Sequence, residues 1–179
     1  MPSIIIGRYG IDFTPAPQSL ASDLLDVPTE SYGDPSQYEH LGFLGVTVYC
    51  DDVAVLRVNQ FYEQMSQSIT PGVLIVPETN RLFIGAGSRM LAYDLTTCQR
   101  VWIEDAQNMM LFWSWLRQGQ SVFALGELEL AVYELDATPR FRVPVDPPWT
   151  FEVSGAVLTV ETDSERRCYS MTDGTPIPS

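Results

Sequence analysis

Apolar residues in this chain come in short runs, cut at close intervals by polar, turn-forming residues. Val46-Thr47-Val48-Tyr49 and Val53-Ala54-Val55-Leu56 are rich in β-branched residues and meet across Asp51-Asp52, the pattern of a hairpin. Runs at 72–77, 81–86, 89–95 and 99–104 follow, separated by Glu78-Thr79-Asn80, Gly87-Ser88 and Thr96-Thr97-Cys98. They predict one antiparallel meander of strands. A second is predicted over 109–115, 121–125, 128–135 and 140–145. A third, shortened one covers 150–153, 156–161 and 167–171 and stops at Thr172-Asp173-Gly174. Two regions break the rhythm. Phe61, Tyr62 and Met65 fall at helix-like spacing and predict a helical turn within Asn59–Ser68. Residues 3–13 read as a first strand, and then Pro15, Pro17, Pro28 and Pro35 mark 14–40 as loop, with a short helix over Ser19–Asp26 capped by Ser19.

The second meander repeats the first at a constant offset of 40 residues. Phe83 matches Phe123, Tyr93-Asp94-Leu95 matches Tyr133-Glu134-Leu135, and Arg100-Val101 matches Arg140-Phe141. A period of that length, built from short strands, predicts a repeated four-stranded sheet, the blade of a β-propeller. The expected fold is therefore all-β, with the meanders arranged as a small or incomplete propeller or, alternatively, as a β-sandwich, plus one or two short helices. Residues 1–40 divide off as an N-terminal strand with an acidic, Pro-rich arm, and 41–179 form one β-meander domain.

One segment carries a resemblance to a known family. Ala92-Tyr93-Asp94-Leu95-Thr96-Thr97-Cys98-Gln99-Arg100-Val101-Trp102 resembles the tryptophan-docking motif of the PQQ-like (WD40-like) β-propeller repeats, matched at Ala92, Asp94, Thr97 and Trp102. The resemblance implies that Asp94 and Thr97 tie a tight turn and that Trp102 packs between neighbouring blades. Cys98 stands where the motif has glycine, so a left-handed backbone there is strained. In the second copy Glu134 replaces Asp94, and at the constant offset Arg142 replaces Trp102. A closed propeller of that family needs more blades than 179 residues supply. Its redox cofactor is not carried over, because no residues match a cofactor-binding set; the expectation is no cofactor.

Charge changes the functional picture. The chain holds 23 acidic residues, ten arginines and no lysine, for a net charge of −13. Such a surface has nothing to displace phosphate counterions, which argues against nucleic acid and anionic membranes, and it steers toward a basic protein partner. Without lysine there is no Schiff-base or P-loop lysine chemistry. Cys50, Cys98 and Cys168 have no metal-ligand spacing and read as reduced thiols. No apolar stretch reaches the length of a membrane span, and the start lacks a signal-peptide pattern, so the chain reads as cytoplasmic.

Candidate chemistry is sparse. His40 is the single histidine, and every Ser-His or Cys-His arrangement would need it as the base. Gly85-Ala86-Gly87-Ser88 lies between two strands and reads as a hairpin turn, since a phosphate-cradling loop opens a helix. Three carboxylate pairs stand out: Asp51 with Asp52, Glu104 with Asp105, and Glu127 with Glu129. They suit either a two-carboxylate hydrolase or a partner-facing acidic strip. The segment Met109–Leu116 concentrates Met and Trp, and Trp113 and Trp115 fit either an inner strand or an interface centre. The favoured expectation is a non-enzymatic binding domain whose partner-binding residues are those six acids with Trp113 and Trp115. Its most concrete form is an immunity-type inhibitor of a basic toxin. The alternatives are an assembly subunit whose incomplete propeller is completed by another chain, and a carboxylate acid-base hydrolase.

Overall fold

A computed structural model describes residues 4–14, 27–37, 39–64, 70–105 and 111–178. The described residues form seventeen strands in four sheets. The first sheet has the order β1-β2-β4-β5-β3 and combines β1 (Ile4–Ile6), β2 (Tyr9–Thr14), β3 (Thr29–Tyr32), β4 (Leu41–Cys50) and β5 (Val53–Glu63). The second is the meander β6 (Gly72–Val76), β7 (Arg81–Ala86), β8 (Arg89–Asp94) and β9 (Gln99–Asp105). The third is β10 (Phe112–Gln118), β11 (Ser121–Gly126), β12 (Glu129–Glu134) and β13 (Pro139–Pro144). The fourth is β14 (Trp149–Ser154), β15 (Val157–Thr162), β16 (Arg166–Ser170) and β17 (Pro176–Ile177). Consecutive antiparallel strands joined by tight turns give three blade-like sheets, and the propeller-like reading holds over the sandwich.

Three buried clusters fill the spaces between successive sheets. Val46, Val48, Leu56 and Val58 meet Leu82, Ile84, Leu91 and Tyr93 between the first and second. Phe83, Met90 and Ala92 meet Phe112, Val122, Ala124 and Tyr133 between the second and third. Phe123, Leu130, Val132 and Val143 meet Leu158, Val160 and Tyr169 between the third and fourth. None of these clusters joins the fourth sheet back to the first. The face of the fourth sheet turned away from the third is polar, with Thr150, Glu152, Thr159 and Glu161 sharing it by register.

Two expectations change. The helical turn within Asn59–Ser68 is instead strand through Glu63, because Asn59, Gln60 and Phe61 pair with Gly45, Leu44 and Phe43 in one long hairpin. Phe61 and Tyr62, which with Met65 suggested a helix, alternate along the strand, with Phe61 packed on Phe43 at 5.0 Å; Met65–Ser68 lies outside the described residues. Among the described residues the one helical element is a 3-10 turn at Pro35–Gln37; Ser19–Asp26 lies outside them. Residues from the N-terminal segment do not stand apart, since β1, β2 and β3 all join the first sheet and β3 runs parallel to β5.

The turns before the last strand of each blade share one device. Asp94, Asp136 and Asp173 each accept a hydrogen bond from the backbone N–H two residues on, at Thr96 (2.7 Å), Thr138 (2.9 Å) and Thr175 (3.1 Å). Cys98 does adopt the left-handed backbone expected at the motif's glycine, with φ 55°.

Candidate functional site

The junctions between sheets carry the polar chemistry. In the first junction the Tyr93 hydroxyl on β8 donates to the Glu30 carboxylate of β3 at 2.8 Å, and Arg100 on β9 donates to the Tyr32 hydroxyl at 2.5 Å and lies 3.5 Å from Glu30. In the second, the Tyr133 hydroxyl on β12 donates to Glu104 of β9 at 3.0 Å. Arg142 on β13 pairs with that same Glu104 and, at 2.9 Å, with Glu129. A tyrosine, a guanidinium and a carboxylate from the preceding sheet thus close both junctions. Burial lifts the Tyr93 and Tyr133 phenols well above the usual range, with the adjoining carboxylates acting in the same direction.

Trp102 completes the second junction. Its ring stacks on Tyr133 at 5.2 Å, and its Nε1 donates to the Ala137 carbonyl at 2.7 Å in the turn of the next blade. That is the docking role the resemblance implied. The equivalent in the third sheet is Phe141 and not Arg142: Ala92 faces Trp102 as Val132 faces Phe141. Phe141 lies against Gly174 of the fourth sheet, where a Cβ would fall 2.6 Å from its ring.

The six acids and two tryptophans singled out from the sequence do not form one patch. Asp51 and Asp52 sit at the β4–β5 tip, both with positive φ, and Asp51 pairs with Arg8. Asp105 pairs with Arg89 at 2.7 Å, and Glu104 and Glu129 converge on Arg142. Glu127 forms a turn whose carbonyl accepts a bond from Trp149 Nε1 at 3.3 Å. Trp113 and Trp115 point to opposite faces, because a bulge between Phe112 and Ser114 adds a residue to β10. Trp115 packs on Phe83 and Phe112 in the second junction, whereas Trp113 stacks on Trp149 at 5.5 Å in the third. His40 is exposed, and its backbone N–H donates to Glu63. Among the described residues no three His, Cys, Asp or Glu are placed to hold a metal, and no helix is long and apolar enough to cross a membrane.

Position separates strong from weak ion pairs. Arg142 and Glu129 are partly covered, at 36% and 14% exposure, whereas Arg8 and Asp51 stand at 58% and 65%. Arg142→Met strands two carboxylates beside Tyr133 and is expected to lower stability by about 2 kcal/mol. Arg8→Met is expected to leave stability essentially unchanged, because the pair is solvent-screened. Urea midpoints of the two variants check the contrast, and equal losses would contradict it.

Sequence reasoning missed Tyr169, the third member of the tyrosine series. Leu158 faces Tyr169 as Val122 faces Tyr133 and Leu82 faces Tyr93. The recurring Asp136-Ala137-Thr138-Pro139 and Asp173-Gly174-Thr175-Pro176 was the signal that could have found it.

No protein-family model and no curated protein matches this sequence. Among solved structures it is similar to BamB from Moraxella catarrhalis, with 10% identity, a TM-score of 0.45, and coverage of 79% of this chain and 49% of that one. A europium-containing methanol dehydrogenase aligns with 11% identity and a TM-score of 0.42, over 60% of this chain and 23% of that one. The N-terminal domain of Nup159 aligns with 9% identity and a TM-score of 0.38, over 62% and 33%. The chain thus spans half or less of each of these structures. BamB and the dehydrogenase are β-propeller proteins.

Proposed function

We propose that this chain is a non-enzymatic protein-binding domain that takes a basic partner through carboxylates lacking a cation of their own. One observation carries the reading. Nine of the ten arginines are ion-paired within the chain, so the net charge of −13 rests on the remaining acids. Among the described residues, Asp52, Glu127, Asp146, Glu152 and Asp163 form no ion pair, and all but Glu127 are exposed. These carboxylates keep their full hydration and field until a partner arrives, which favours fast, salt-sensitive association with a cationic surface. Glu104, Asp105 and Glu129 contribute less, since intramolecular guanidinium groups already occupy them.

The more concrete form is an immunity-type inhibitor that covers the active site of a basic toxin; strong acidity supports it. The test uses the immobilised chain beside a variant carrying Asp52→Arg, Glu127→Arg, Glu152→Arg and Asp163→Arg. The expected result is a basic protein from the source cell retained by the parent, released by salt and ignored by the variant. Retention of the same proteins by both would refute the reading. For the inhibitor form, the retained protein must also lose its activity at one-to-one stoichiometry.

A second reading, assembly with other copies, is favoured by a separate observation. Among the described residues β1 is an edge strand, exposing Ile4 at 44% and Ile5 at 70%, and an apolar edge is a template for strand addition. Sedimentation analysis decides it: association that Ile5→Lys abolishes supports assembly, and a monomer at every concentration removes it.

A further inference from the structure

The first three sheets treat equivalent edges in three ways. In the first, β3 lies along β5 as a fifth strand, parallel to it, with Thr29, Glu30 and Ser31 opposite Arg57, Val58 and Asn59. In the third, edge strand β13 begins on Pro139 and ends on Pro144; proline has no N–H to donate and blunts an edge. In the second, β9 is an edge strand with no proline and, among the described residues, no strand laid along it. Its Val101 and Ile103 stand 45% and 39% exposed. Strands β5 and β9 correspond residue for residue, because each is bulged by one residue against its partner. Ala92 faces Trp102 and Tyr93 faces Arg100, as Val48 faces Leu56 and Tyr49 faces Ala54. On that match Arg57, Val58 and Asn59, the positions that β3 covers, correspond to Ile103, Glu104 and Asp105.

We infer that β9 takes a fifth strand from a partner protein, parallel to it and in the register that β3 holds on β5. The side chains of β9 state the chemistry of that strand. Ile103 and Asp105 share one face, being opposite Leu91 and Arg89, so the added strand places alternate residues beside them. An apolar, β-branched residue suits the exposed Ile103. A basic residue suits Asp105, whose side chain is 56% exposed and whose Oδ1 alone accepts a bond from Arg89, at 2.7 Å. The residue between them lies beside Glu104, which faces the other way and is already held by Arg142 and Tyr133. The main-chain N–H and C=O groups of the edge supply the remaining contacts. This inference rests on the basic-partner reading for the charge of the added strand, and it adds a main-chain contact.

The experiment is an amide NMR titration with the capped peptide Ac-Thr-Val-Thr-Lys-Val-NH2. Shifts are expected at Trp102, Ile103, Glu104 and Asp105. A peptide with Glu in place of Lys is expected to bind at least about threefold more weakly, the scale of a cross-strand charge pair. Two further peptides are N-methylated, one at the first valine and one at the threonine after it. Alternate N–H groups face the strand, so one should bind like the parent peptide and the other should not bind. A nitroxide at the peptide's C-terminus should broaden Asp105 more than Gln99. Ile103→Lys is expected to weaken binding and Asp105→Asn to remove the preference for Lys. Leu116→Lys, a similarly exposed site on β10, should change nothing; unchanged near-UV circular dichroism shows that each variant folds. No shift on β9, equal binding of the Lys and Glu peptides, identical behaviour of the two N-methyl peptides, or stronger broadening at Gln99 would each overturn the inference. The two accounts fail separately. A basic protein captured equally by the parent and the Ile103→Lys chain removes this site and leaves the acidic-surface reading; peptide binding with no basic protein captured does the reverse.

Discussion

Phe112→Ala is expected to lower the unfolding free energy by about 4 kcal/mol, the usual cost of emptying a buried aromatic site. In a chain of this length that corresponds to a fall in Tm of roughly 8–16 °C. Phe112 is 1% exposed and starts β10, yet its ring belongs to the sheet before it. It occupies space left by Gly72 on β6 and Gly85 on β7, where a Cβ would lie 3.0 Å and 2.6 Å from the ring. Trp115 packs on it at 5.1 Å from the same strand. Removing the ring empties a site that the two glycines cannot refill, and it loosens the junction that positions Glu104 against Tyr133. The reciprocal change, Gly85→Ala, overpacks the same site and is expected to cost about 1–3 kcal/mol. Combining the two should cost less than their sum, because the new methyl enters the cavity left by the ring. Calorimetry of the three variants checks this. Strictly additive losses would show that Phe112 and Gly85 do not share a site.

A second large effect is expected in alkali. Burial holds the phenol pKa of Tyr93 and Tyr133 far above the usual value near 10, so both stay protonated in the folded chain while unfolded tyrosines ionise. The sign follows from linkage. For groups with a raised folded-state pKa, the stabilisation is complete below the unfolded pKa and drains away as pH rises above it. Each buried phenol removes about 1.4 kcal/mol per pH unit in that window, so the pair together account for roughly 3 kcal/mol by about pH 11. Tyr9, Tyr32, Tyr49 and Tyr62 are shifted in the same direction, first by burial, and add to the fall. Urea unfolding between pH 8 and 11 measures it. The double variant Tyr93→Phe with Tyr133→Phe starts less stable at pH 8, because Glu30 and Glu104 each lose a donor, but its stability should decline less steeply above pH 10. Parallel curves for parent and variant would contradict the assignment.

The two central blades were legible in the sequence because their strands, turns and tyrosines recur at one spacing. Phe83 and Phe123, and Tyr93 and Tyr133, do occupy equivalent registers. Features that depend on turn length or on an unmatched bulge were hidden. The bulges at Ala92/Tyr93 and Val132/Tyr133 match each other, but the turn before the last strand is one residue shorter in the third sheet, where Tyr133 faces Pro139 as Tyr93 faces Arg100, so the constant offset placed Arg142 at the docking position that Phe141 fills. A bulge likewise separates Trp113 from Trp115, although two residues apart should share a strand face. Three strands of the fourth sheet were read from the sequence, but its last strand, only Pro176–Ile177, was not, and its shorter repeat put Tyr169 out of step with its counterparts. Long-range pairing hid the rest: nothing local to Thr29–Tyr32 announces a strand parallel to β5, nor that Glu30 meets Arg100. The acidic candidates were found by composition, and only the ion pairs separate carboxylates already held by arginine from those that are not.

The central claim, that uncompensated carboxylates bind a basic partner, is tested most directly by zero-length carboxyl-to-amine cross-linking of the captured complex. The chain contains no lysine, so every lysine in a cross-link comes from the partner. The account predicts links from Asp52, Glu127, Glu152 or Asp163 to partner lysines, lost when the complex is challenged with salt before coupling. Links confined to other positions, or a captured complex that yields none, would contradict it.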